Sequence, residues 1–247
     1  MTRLDAALVE RGLARSRAAA QASIAAGAVT VNGVPAAKAS QSVRPTDVLH
    51  AQIDPWVSRA AHKLLGALAD SGTQVPARVL DAGASTGGFT QVCLERGAER
   101  VYAVDVGHDQ LARRLRDDPR VVIWERTNLR DLTLGHVEGE PVGLIVADVS
   151  FISLRLLLPA LLRVLAPEGS ALLLVKPQFE VGRGGLDDHG VVRDAALREQ
   201  AVRQVCDAAI DLGRPVAWTG PSRLAGENGN QEYFVELGPL GNVSRER

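Results

Sequence analysis

The sequence predicts an α/β protein, with a mainly parallel sheet covered by helices on both faces and a small α+β unit before it. From residue 78 onward, short apolar stretches alternate with helical segments, which is the pattern of successive βαβ units. Two final strands, 215–219 and 232–237, have no helix between them, so we expect them to form an antiparallel end to the sheet. Residues 1–51 instead contain two short helices and a hairpin, which indicates a separate compact unit.

The small unit has clear start and turn signals. Ser16 is a suitable N-cap for its second helix, because a serine hydroxyl can accept a hydrogen bond from a free backbone N–H. Asn32-Gly33 is the strongest two-residue hairpin signal and follows a short β-branched strand. The predicted helices cover 3–11 and 17–26, and the predicted strands cover 28–31 and 43–51.

Residues 52–58 have the character of a linker, since Pro55 interrupts the periodicity on either side. The second unit, 59–247, opens with a helix for which Ser58 is the predicted N-cap. Beyond that helix, strands and helices alternate. The strands are predicted at 78–83, 101–106, 121–126, 143–149 and 171–176, and the helices at 88–97, 108–116, 153–166 and 193–212.

Composition excludes several classes of protein. The chain has 247 residues, is 46% hydrophobic and has a net charge of −1, which is typical of a globular protein. Cys93 and Cys206 are isolated, which fits a reducing compartment, and no Cys/His cluster has the spacing of metal ligands. No stretch is long and apolar enough to span a bilayer, and the N-terminus lacks a signal-peptide core. The sequence therefore predicts a cytoplasmic protein without a metal and without a membrane partner.

Charge is unevenly distributed and indicates an anionic partner. Residues 1–63 hold eight Lys and Arg against four acids, a charge of +4, which leaves −5 for the remainder. Arg3, Arg11, Arg15 and Arg17 fall on the first two helices, and we interpret them, with Arg59, as candidate contacts to RNA phosphates. The alternative is an ordinary solvated helix face. The unit has few aromatic residues, so recognition of folded RNA by its shape is favoured over base stacking.

Residues 78–90 form a strand, a turn of small residues and the start of a helix, which is the pattern of a nucleotide-type cofactor site. Ser85 stands where a dinucleotide site needs its second glycine, and Asp81 would repel a phosphate but suits the amino group of S-adenosylmethionine. A dinucleotide site and an ordinary strand-to-helix turn remain alternatives. The residues assigned to the cofactor here are Asp81, Gly83, Ser85, Thr86, Gly87, Gly88 and Phe89, with Asp105 at the end of the next strand for the ribose hydroxyls.

Other polar residues follow predicted strands, where ligands of such sheets bind. Asp148 and Lys176 each follow a run of four apolar residues, Glu232 opens the last strand, and Asn128 follows the third strand as a candidate adenine contact. A lysine in such a position is costly without a partner, and Asp148 on the neighbouring strand is the natural one. A structural salt bridge is one interpretation. The other is methylation of an alcohol, in which a positioned lysine orients the oxygen and takes its proton.

Several motifs together resemble the TlyA (haemolysin A-like) ribosomal RNA 2′-O-methyltransferases. The resemblance covers almost the whole chain and implies an S4 RNA-binding domain followed by a class I, Rossmann-like methyltransferase domain similar to the FtsJ/RrmJ type. It also implies S-adenosylmethionine as cofactor and cytidine riboses of ribosomal RNA as substrate, in the large subunit and in some members also the small one. The matching stretches are 3–5, 31–33, 58–59, 81–90, 117–129, 148–154, 175–180, 190–194 and 229–233.

The resemblance also implies a catalytic tetrad of Lys63, Asp148, Lys176 and Glu232. Lys63 is otherwise oddly placed, because a cation near the start of a helix is disfavoured by the helix dipole. By resemblance, Lys176 is the central base or orienting cation, Asp148 tunes it, and the other two complete the polar network. Asp148 is assigned to the cofactor side of the site as well.

The sequence departs from the family pattern in two places. Ala60 and Ala61 stand where many members have two glycines, and Asp109 lies in a loop that is expected to border the adenosine. The short termini resemble the subgroup that acts on the large subunit only. Two other functions remain open: a non-catalytic RNA-binding or ribosome-assembly factor that keeps the fold, and a dinucleotide oxidoreductase, which Ser85 and the basic N-terminal unit disfavour. The sequence predicts no particular oligomeric state.

Overall fold

The computed structural model describes residues 1–14, 16–52 and 54–240, with Arg183 and Glu227 described by their backbone alone. The chain divides into two compact units, Met1–Pro55 and a second unit that begins at Trp56. This division falls inside the segment 52–58 that the sequence predicts as a linker. Each unit encloses its own cluster of buried apolar side chains.

The first unit is a small α+β fold. Its strands β3, β2 and β5 form an antiparallel sheet in that order, and β1 pairs with β4. Leu4 and Leu8 of the first helix and Ile24 of the second belong to one buried cluster with Val29 of the sheet. The elements are β1 (Thr2–Arg3), α1 (Leu4–Glu10), α2 (Arg17–Ala25), β2 (Val29–Val31), β3 (Val34–Pro35), β4 (Ser42–Val43) and β5 (Leu49–Ala51).

The capping and hairpin predictions for this unit are confirmed. Ser16 Oγ accepts a hydrogen bond from Ala19 N at 3.2 Å, which makes Ser16 the N-cap of α2. Asn32 and Gly33 have φ angles of 52° and 82° and connect β2 to β3. Both residues thus take the left-handed conformation that a tight two-residue hairpin turn requires.

Two other predictions near the unit boundary are wrong. The single strand predicted over 43–51 is two strands, because Asp47 Oδ2 accepts a hydrogen bond from Arg44 N at 2.7 Å and closes a turn between them. The sequence predicts Ser58 as the N-cap of the first helix of the second unit, but Arg59 occupies that position and no described side chain caps the helix.

The second unit is a seven-stranded sheet with helices on both faces. The sheet order is β11-β12-β10-β9-β6-β7-β8. Strands β10, β9, β6, β7 and β8 are parallel, and β12 runs antiparallel to both of its neighbours. The elements are α3 (Ala60–Ser71), β6 (Arg78–Ala82), α4 (Gly88–Glu95), β7 (Arg100–Val104), α5 (Arg113–Arg116), β8 (Val121–Trp124), β9 (Val142–Ala147), α6 (Leu158–Arg163), β10 (Leu165–Val175), α7 (Ala195–Asp211), β11 (Val216–Pro221) and β12 (Tyr233–Leu237). The predicted fold class is thereby confirmed, including the antiparallel last strand.

The helix predicted over 108–116 is wrong in its first half. Asp109 has a φ of +53°, which no α-helical residue adopts, and its N–H donates to Glu125 Oε1 at 3.0 Å. Helical structure therefore begins only at Arg113, after a loop that packs against the end of β8. The sequence pattern does not reveal this long-range hydrogen bond.

The boundary between the helix predicted over 153–166 and the strand predicted from residue 171 is also wrong. Pro167 disfavours helical conformation in the residue before it, and α6 ends at Arg163. Strand β10 begins at Leu165, which pairs with Val142 of β9, and the pairing is irregular between Leu165 and Ser170. A short 3₁₀ turn precedes α6 instead of a continuous helix.

The topology brings the loops after β6, β7, β9 and β10 to one edge of the sheet, because the carboxyl ends of parallel strands lie together. Buried apolar clusters cover both faces of the sheet and hold these strand ends in place. Among the described residues, no helix has the length and apolarity needed to cross a bilayer. The first residues beyond the four strands are Gly83, Asp105, Asp148 and Lys176.

Candidate active site

The glycine turn after β6 is determined largely by packing. Gly83 has a φ of +86°, and a Cβ there would lie 2.6 Å from the carbonyl oxygen of Asp148. Gly87 has a φ of +93°, and a Cβ there would collide with the side chain of Leu115. At Gly88 a Cβ would collide with the Ser58 hydroxyl. At these positions glycine is therefore required because a side chain would collide with neighbouring protein groups, whether or not a ligand binds.

Asp105 fastens this turn to the end of β7. Its Oδ2 accepts a hydrogen bond from Ser85 N at 2.8 Å, and its Oδ1 accepts one from Gly107 N at 2.6 Å. Ser85 itself has a φ of +46°. Each carboxylate oxygen can accept a second hydrogen bond, so Asp105 keeps acceptor capacity toward a ligand.

A cavity of about 520 Å³ opens beside this turn. Asn128 contributes to its wall while its side chain accepts a hydrogen bond from Arg130 N at 3.0 Å, which caps a 3₁₀ turn. A neighbouring cavity of about 200 Å³ includes Thr86 and Gly88 in its wall. The larger cavity is lined on its polar side by Gly83, Ser85, Asp105, Gln110, Asn128, Asp148 and Ser150.

Asp81 lies in β6, two residues before Gly83, and is fully buried. Thr90 Oγ1 donates to its Oδ2 at 2.6 Å, whereas Oδ1 has no hydrogen-bond partner among the described residues. Burial raises the pKa of the Asp81 carboxyl to about 7, and the hydrogen bond from Thr90 opposes the rise only in part. Phe89 is also buried and stacks on Phe234 with ring centroids 6.3 Å apart. Phe89 is thus mainly a core residue.

The four tetrad residues come together in a second cavity of about 520 Å³. Lys63 Nζ donates to Glu232 Oε2 at 2.6 Å, which joins α3 to the start of β12. Lys176 Nζ lies 2.6 Å from Asp148 Oδ1 and donates to Ser150 Oγ at 2.8 Å, which joins the loops after β9 and β10. Asp148 and Ser150 also line the first cavity, so the two cavities share a wall.

Burial makes this cluster electrostatically unusual. The side chains of Lys63 and Glu232 are only 11% and 2% exposed. Burial raises the pKa of the Glu232 carboxyl above its usual value, although the hydrogen bond from the Lys63 ammonium acts in the opposite direction. The position of Lys63 near the start of a helix is explained by this contact, because Glu232 neutralises a cation that the helix dipole disfavours.

Sequence reasoning missed three residues that hold the cluster together. Glu180 is buried and accepts hydrogen bonds from Ser153 Oγ at 2.5 Å and from Leu154 N at 2.8 Å, so it ties the loop after β9 to the loop after β10. Ser150 accepts the hydrogen bond from Lys176 Nζ and so holds the amine beside Asp148. At Gly226, a Cβ would collide with the Glu232 carboxylate. The contacts of Glu180 and Ser150 join segments more than 20 residues apart, and nothing in the local sequence signals them.

Comparison with known proteins assigns both units. Residues 56–238 match the sequence family described as FtsJ-like methyltransferase, and residues 2–49 match the S4 domain. The chain belongs to the FtsJ-like methyltransferases. The S4 domain accounts for the small α+β unit, and the FtsJ-like domain accounts for the sheet and for the cavities at its edge.

Two curated relatives and one solved structure show the extent of the similarity. The chain is 51% identical over 239 residues, 95% of its length and 89% of the other, to the 16S/23S rRNA (cytidine-2′-O)-methyltransferase TlyA of Mycobacterium tuberculosis. It is 37% identical over 80% of its length and 79% of the other to the 23S rRNA (cytidine-2′-O)-methyltransferase TlyA of Campylobacter jejuni. A solved structure of a protein from Streptococcus thermophilus that carries the name hemolysin has a TM-score of 0.76 at 37% identity, covering 97% of this chain and 89% of that one. The predicted family is confirmed.

The arginines predicted to bind RNA are largely engaged within the S4 domain. Arg3 donates to both oxygens of buried Asp5 at 3.0 and 2.9 Å, and Arg17 donates to the same carboxylate at 3.2 Å. Arg11 donates to backbone carbonyls, among them that of Asp47 at 2.6 Å. Arg3 and Arg17 remain 49% and 59% exposed and keep free N–H groups toward solvent.

Two further positions complete the sequence-predicted set. Arg15 lies outside the described residues. Arg59, in the FtsJ-like domain, is exposed and donates to the carbonyl of Ala225 at 3.2 Å, close to the loop that carries Gly226. The RNA-contact role of all five arginines stays a prediction.

The loop that departs from the family pattern forms its own charged group. Asp109 and His108 lie close to Glu125, and their potential ligand atoms are within 4.8 Å of one another. Arg116 pairs with Glu125 and lies 3.8 Å from Asp109, so the acidic charge is already compensated by a cation. Asp109 is exposed and is not among the residues that line the first cavity.

Proposed function

We propose that this chain transfers a methyl group from S-adenosylmethionine to the ribose 2′-hydroxyl of cytidine in ribosomal RNA, acting in the cytoplasm on the large subunit and also on the small one. The proposal rests on the convergence of Lys63, Asp148, Lys176 and Glu232 in one cavity. This tetrad cavity shares a wall with the first cavity, beside the glycine turn. The names of the relatives support the substrate. The 51% identical relative is named for both subunits and the 37% identical one for the large subunit alone, which favours action on both.

The first cavity fits the cofactor that the family and fold imply. Asp105 keeps lone pairs for two ribose hydroxyls, and Asn128 lies in the wall as a candidate contact to the adenine. Buried Asp81 has one oxygen without a partner among the described residues, which suits a cationic amino group. When bound there, S-adenosylmethionine supplies a methyl group on a sulfonium. We assign Gly83 and Ser85 to the backbone cradle beside it.

The tetrad can prepare the ribose oxygen for methylation. Asp148 and Ser150 occupy two directions around Lys176 Nζ, which leaves the third for the substrate hydroxyl. We assign Lys176 to orient the substrate hydroxyl and to receive its proton, and Asp148, 2.6 Å away, to stabilise the resulting ammonium. Lys63 and Glu232 stay paired and keep the opposite wall of the cavity in place. Alignment of the oxygen with the methyl group supplies much of the rate.

We assign binding of the RNA substrate to the S4 domain. Its exposed arginines retain N–H groups beyond those that bind Asp5 and the backbone, and arginine suits phosphate contact because of its charge and its fork of donors. The domain has no tryptophan or tyrosine on which to stack single-stranded bases. Recognition of a folded RNA surface by phosphate contacts is the function that these features support.

The decisive test compares Lys176→Ala with the wild type in transfer of a radiolabelled methyl group to unmodified large and small ribosomal subunits. We expect alkali-stable 2′-O-methylcytidine with the wild type and a loss of at least about a hundredfold in the variant, the usual range for losing a general base. Lys176→Arg should be equally inactive, since arginine keeps the charge but cannot accept the proton. Lys38→Ala, which removes an exposed lysine elsewhere, serves as the control and should retain activity within about tenfold.

The same assay separates the remaining alternative. If the wild type binds S-adenosylmethionine and RNA but transfers no methyl group to either subunit, the 2′-O-methylation proposal is wrong. A chain that binds RNA without binding the cofactor would instead be a ribosome-assembly factor that retains the fold.

A further inference from the structure

The tetrad cavity also holds three side-chain amides that the methyl-transfer chemistry does not use. These are Gln178, Asn228 and Asn230. Asn230 is buried and committed on both sides, because its Oδ1 accepts from Val192 N at 3.1 Å and its Nδ2 donates to Gly190 O at 3.1 Å. Asn228 Nδ2 donates to a backbone carbonyl at 3.3 Å. Two of the three amides thus shape the cavity wall.

Gln178 differs from both. Its Oε1 is a buried atom that, among the described residues, has no hydrogen-bond partner. A buried acceptor of this kind costs free energy unless something fills it, so a site that keeps one is prepared for a donor. Its backbone lies in a 3₁₀ turn, Pro177–Phe179, directly after Lys176.

The surroundings of Gln178 suit a nucleobase. Phe151 and Phe179 both line the cavity and lie with ring centroids 5.2 Å apart. Phe151 is 90% exposed and has a φ of +65°, a strained conformation for an aromatic residue. The cavity therefore offers flat apolar surface next to the unfilled acceptor of Gln178, which suits a base turned out of its stack.

We propose that Gln178 reads the target base and selects cytosine, its side-chain oxygen accepting a hydrogen bond from the exocyclic amino group. This inference rests on the proposed function, because it assumes that a nucleotide occupies the tetrad cavity. Uracil presents a carbonyl oxygen where cytosine presents the amino group, so to bind uracil the Gln178 amide would have to turn over and place its Nε2 where Oε1 is buried. A residue two positions after Lys176 would thus set the base, while Lys176 acts on the sugar.

The test measures kcat/KM for cytidine and for uridine at the modified position. That position is first located with the wild-type protein, and ribosomal subunits are then reconstituted with either base there. We expect the wild type to prefer cytidine by about tenfold or more, the usual size of one base-specific contact. Gln178→Ala should bring the ratio close to one while cofactor affinity stays unchanged. Gln178→Glu, which has acceptors only, should keep the preference for cytidine.

A control and two contrary outcomes complete the test. Gln74→Ala removes an exposed amide elsewhere in the domain and should keep the wild-type ratio. A Gln178→Ala protein that also keeps the wild-type ratio would overturn the role of Gln178, and so would a wild type that methylates both bases equally. Absence of methyl transfer to cytidine by the wild type is a distinct result, since it contradicts the proposed function itself.

Discussion

Asp5 in the S4 domain and Asp81 in the FtsJ-like domain are both fully buried, but they differ in the number and charge of the groups that donate hydrogen bonds to them. Asp5 accepts hydrogen bonds from Arg3, Arg17 and Gln21, and these donors hold the pKa of its carboxyl well below the usual range. Asp81 accepts one side-chain hydrogen bond, from Thr90, and burial raises its pKa to about 7.

We interpret the difference as that between an acid with a structural role and the acid that we propose binds the cofactor. Asp5 is surrounded by cations, so its negative charge is stabilised by the fold itself. Asp81 has an oxygen with no partner among the described residues, so its charge costs free energy until a cation arrives. Burial alone therefore does not tell which acid serves the fold and which serves a ligand, whereas the number and charge of the donors does.

The largest expected effect is on stability as pH changes. In the folded protein the pKa of Asp81 is raised from 3.8 to about 7, so between these values the native state binds the proton more tightly than the unfolded chain. The free energy of unfolding should therefore fall as pH rises from 4 to 7, by at most about 4 kcal/mol, relative to an Asp81→Asn variant that lacks this titration. Denaturant titrations followed by tryptophan fluorescence suit this measurement, because Trp56, Trp124 and Trp218 all lie in the FtsJ-like domain.

Asp5→Asn provides the opposite case. Because the pKa of Asp5 is lowered in the folded protein, its stabilising contribution is present above the unfolded pKa of about 4 and is lost as pH falls below that value. Hydrogen exchange of the backbone amides in α1, measured as a function of pH in the wild type and in Asp5→Asn, would report this loss of stability. If the stability of Asp81→Asn and of the wild type followed the same pH profile, the contrast between the two acids would be wrong.

The next effect is on cofactor affinity. Asp81→Asn should weaken S-adenosylmethionine binding by about 2 kcal/mol, or roughly thirtyfold, since it removes a charged partner for the amino group. Wild-type affinity should also decrease as pH falls below about 7, because the carboxyl then becomes protonated. Calorimetric titration at pH 6, 7 and 8 measures both effects. Asp5→Asn should bind the cofactor like the wild type, and an unchanged affinity in Asp81→Asn would make Asp81 a structural residue.

Much of the fold followed from periodicity, but contacts between distant segments did not. Alternating strands and helices predicted the sheet and its antiparallel end, and those elements are present. Ser58 fits the statistics of an N-cap, yet its hydroxyl instead lies against Gly88. Asp109 fits a helical pattern, yet a hydrogen bond to Glu125 holds it in the left-handed region. In both cases a tertiary contact overrides the local preference.

The candidate site shows the same limit. The ends of parallel strands predicted that Asp148 and Lys176 would meet, and they lie 2.6 Å apart. That Lys63 would reach Glu232 followed only from family resemblance, because α3 and β12 are far apart in the chain. The composition carries one further signal. The chain has three lysines among 28 basic residues, and two of the three line the tetrad cavity. In a chain that otherwise uses arginine, two lysines at one cavity indicate a site that needs a compact amine and not a planar guanidinium.

The smallest expected effect concerns the arginines that surround Asp5. If Arg17 serves only that carboxylate, Arg17→Ala should destabilise the S4 domain but leave the salt dependence of RNA binding unchanged. If its exposed N–H groups also contact a phosphate, as we expect, the slope of log affinity against log salt should become shallower by nearly one. Arg11→Ala is the matched comparison, since Arg11 is held by backbone carbonyls instead of a carboxylate. Filter binding to ribosomal RNA at several salt concentrations, with thermal unfolding of each variant, separates the two roles. If the slope of log affinity against log salt were unchanged in both variants, Arg11 and Arg17 would have a structural role only.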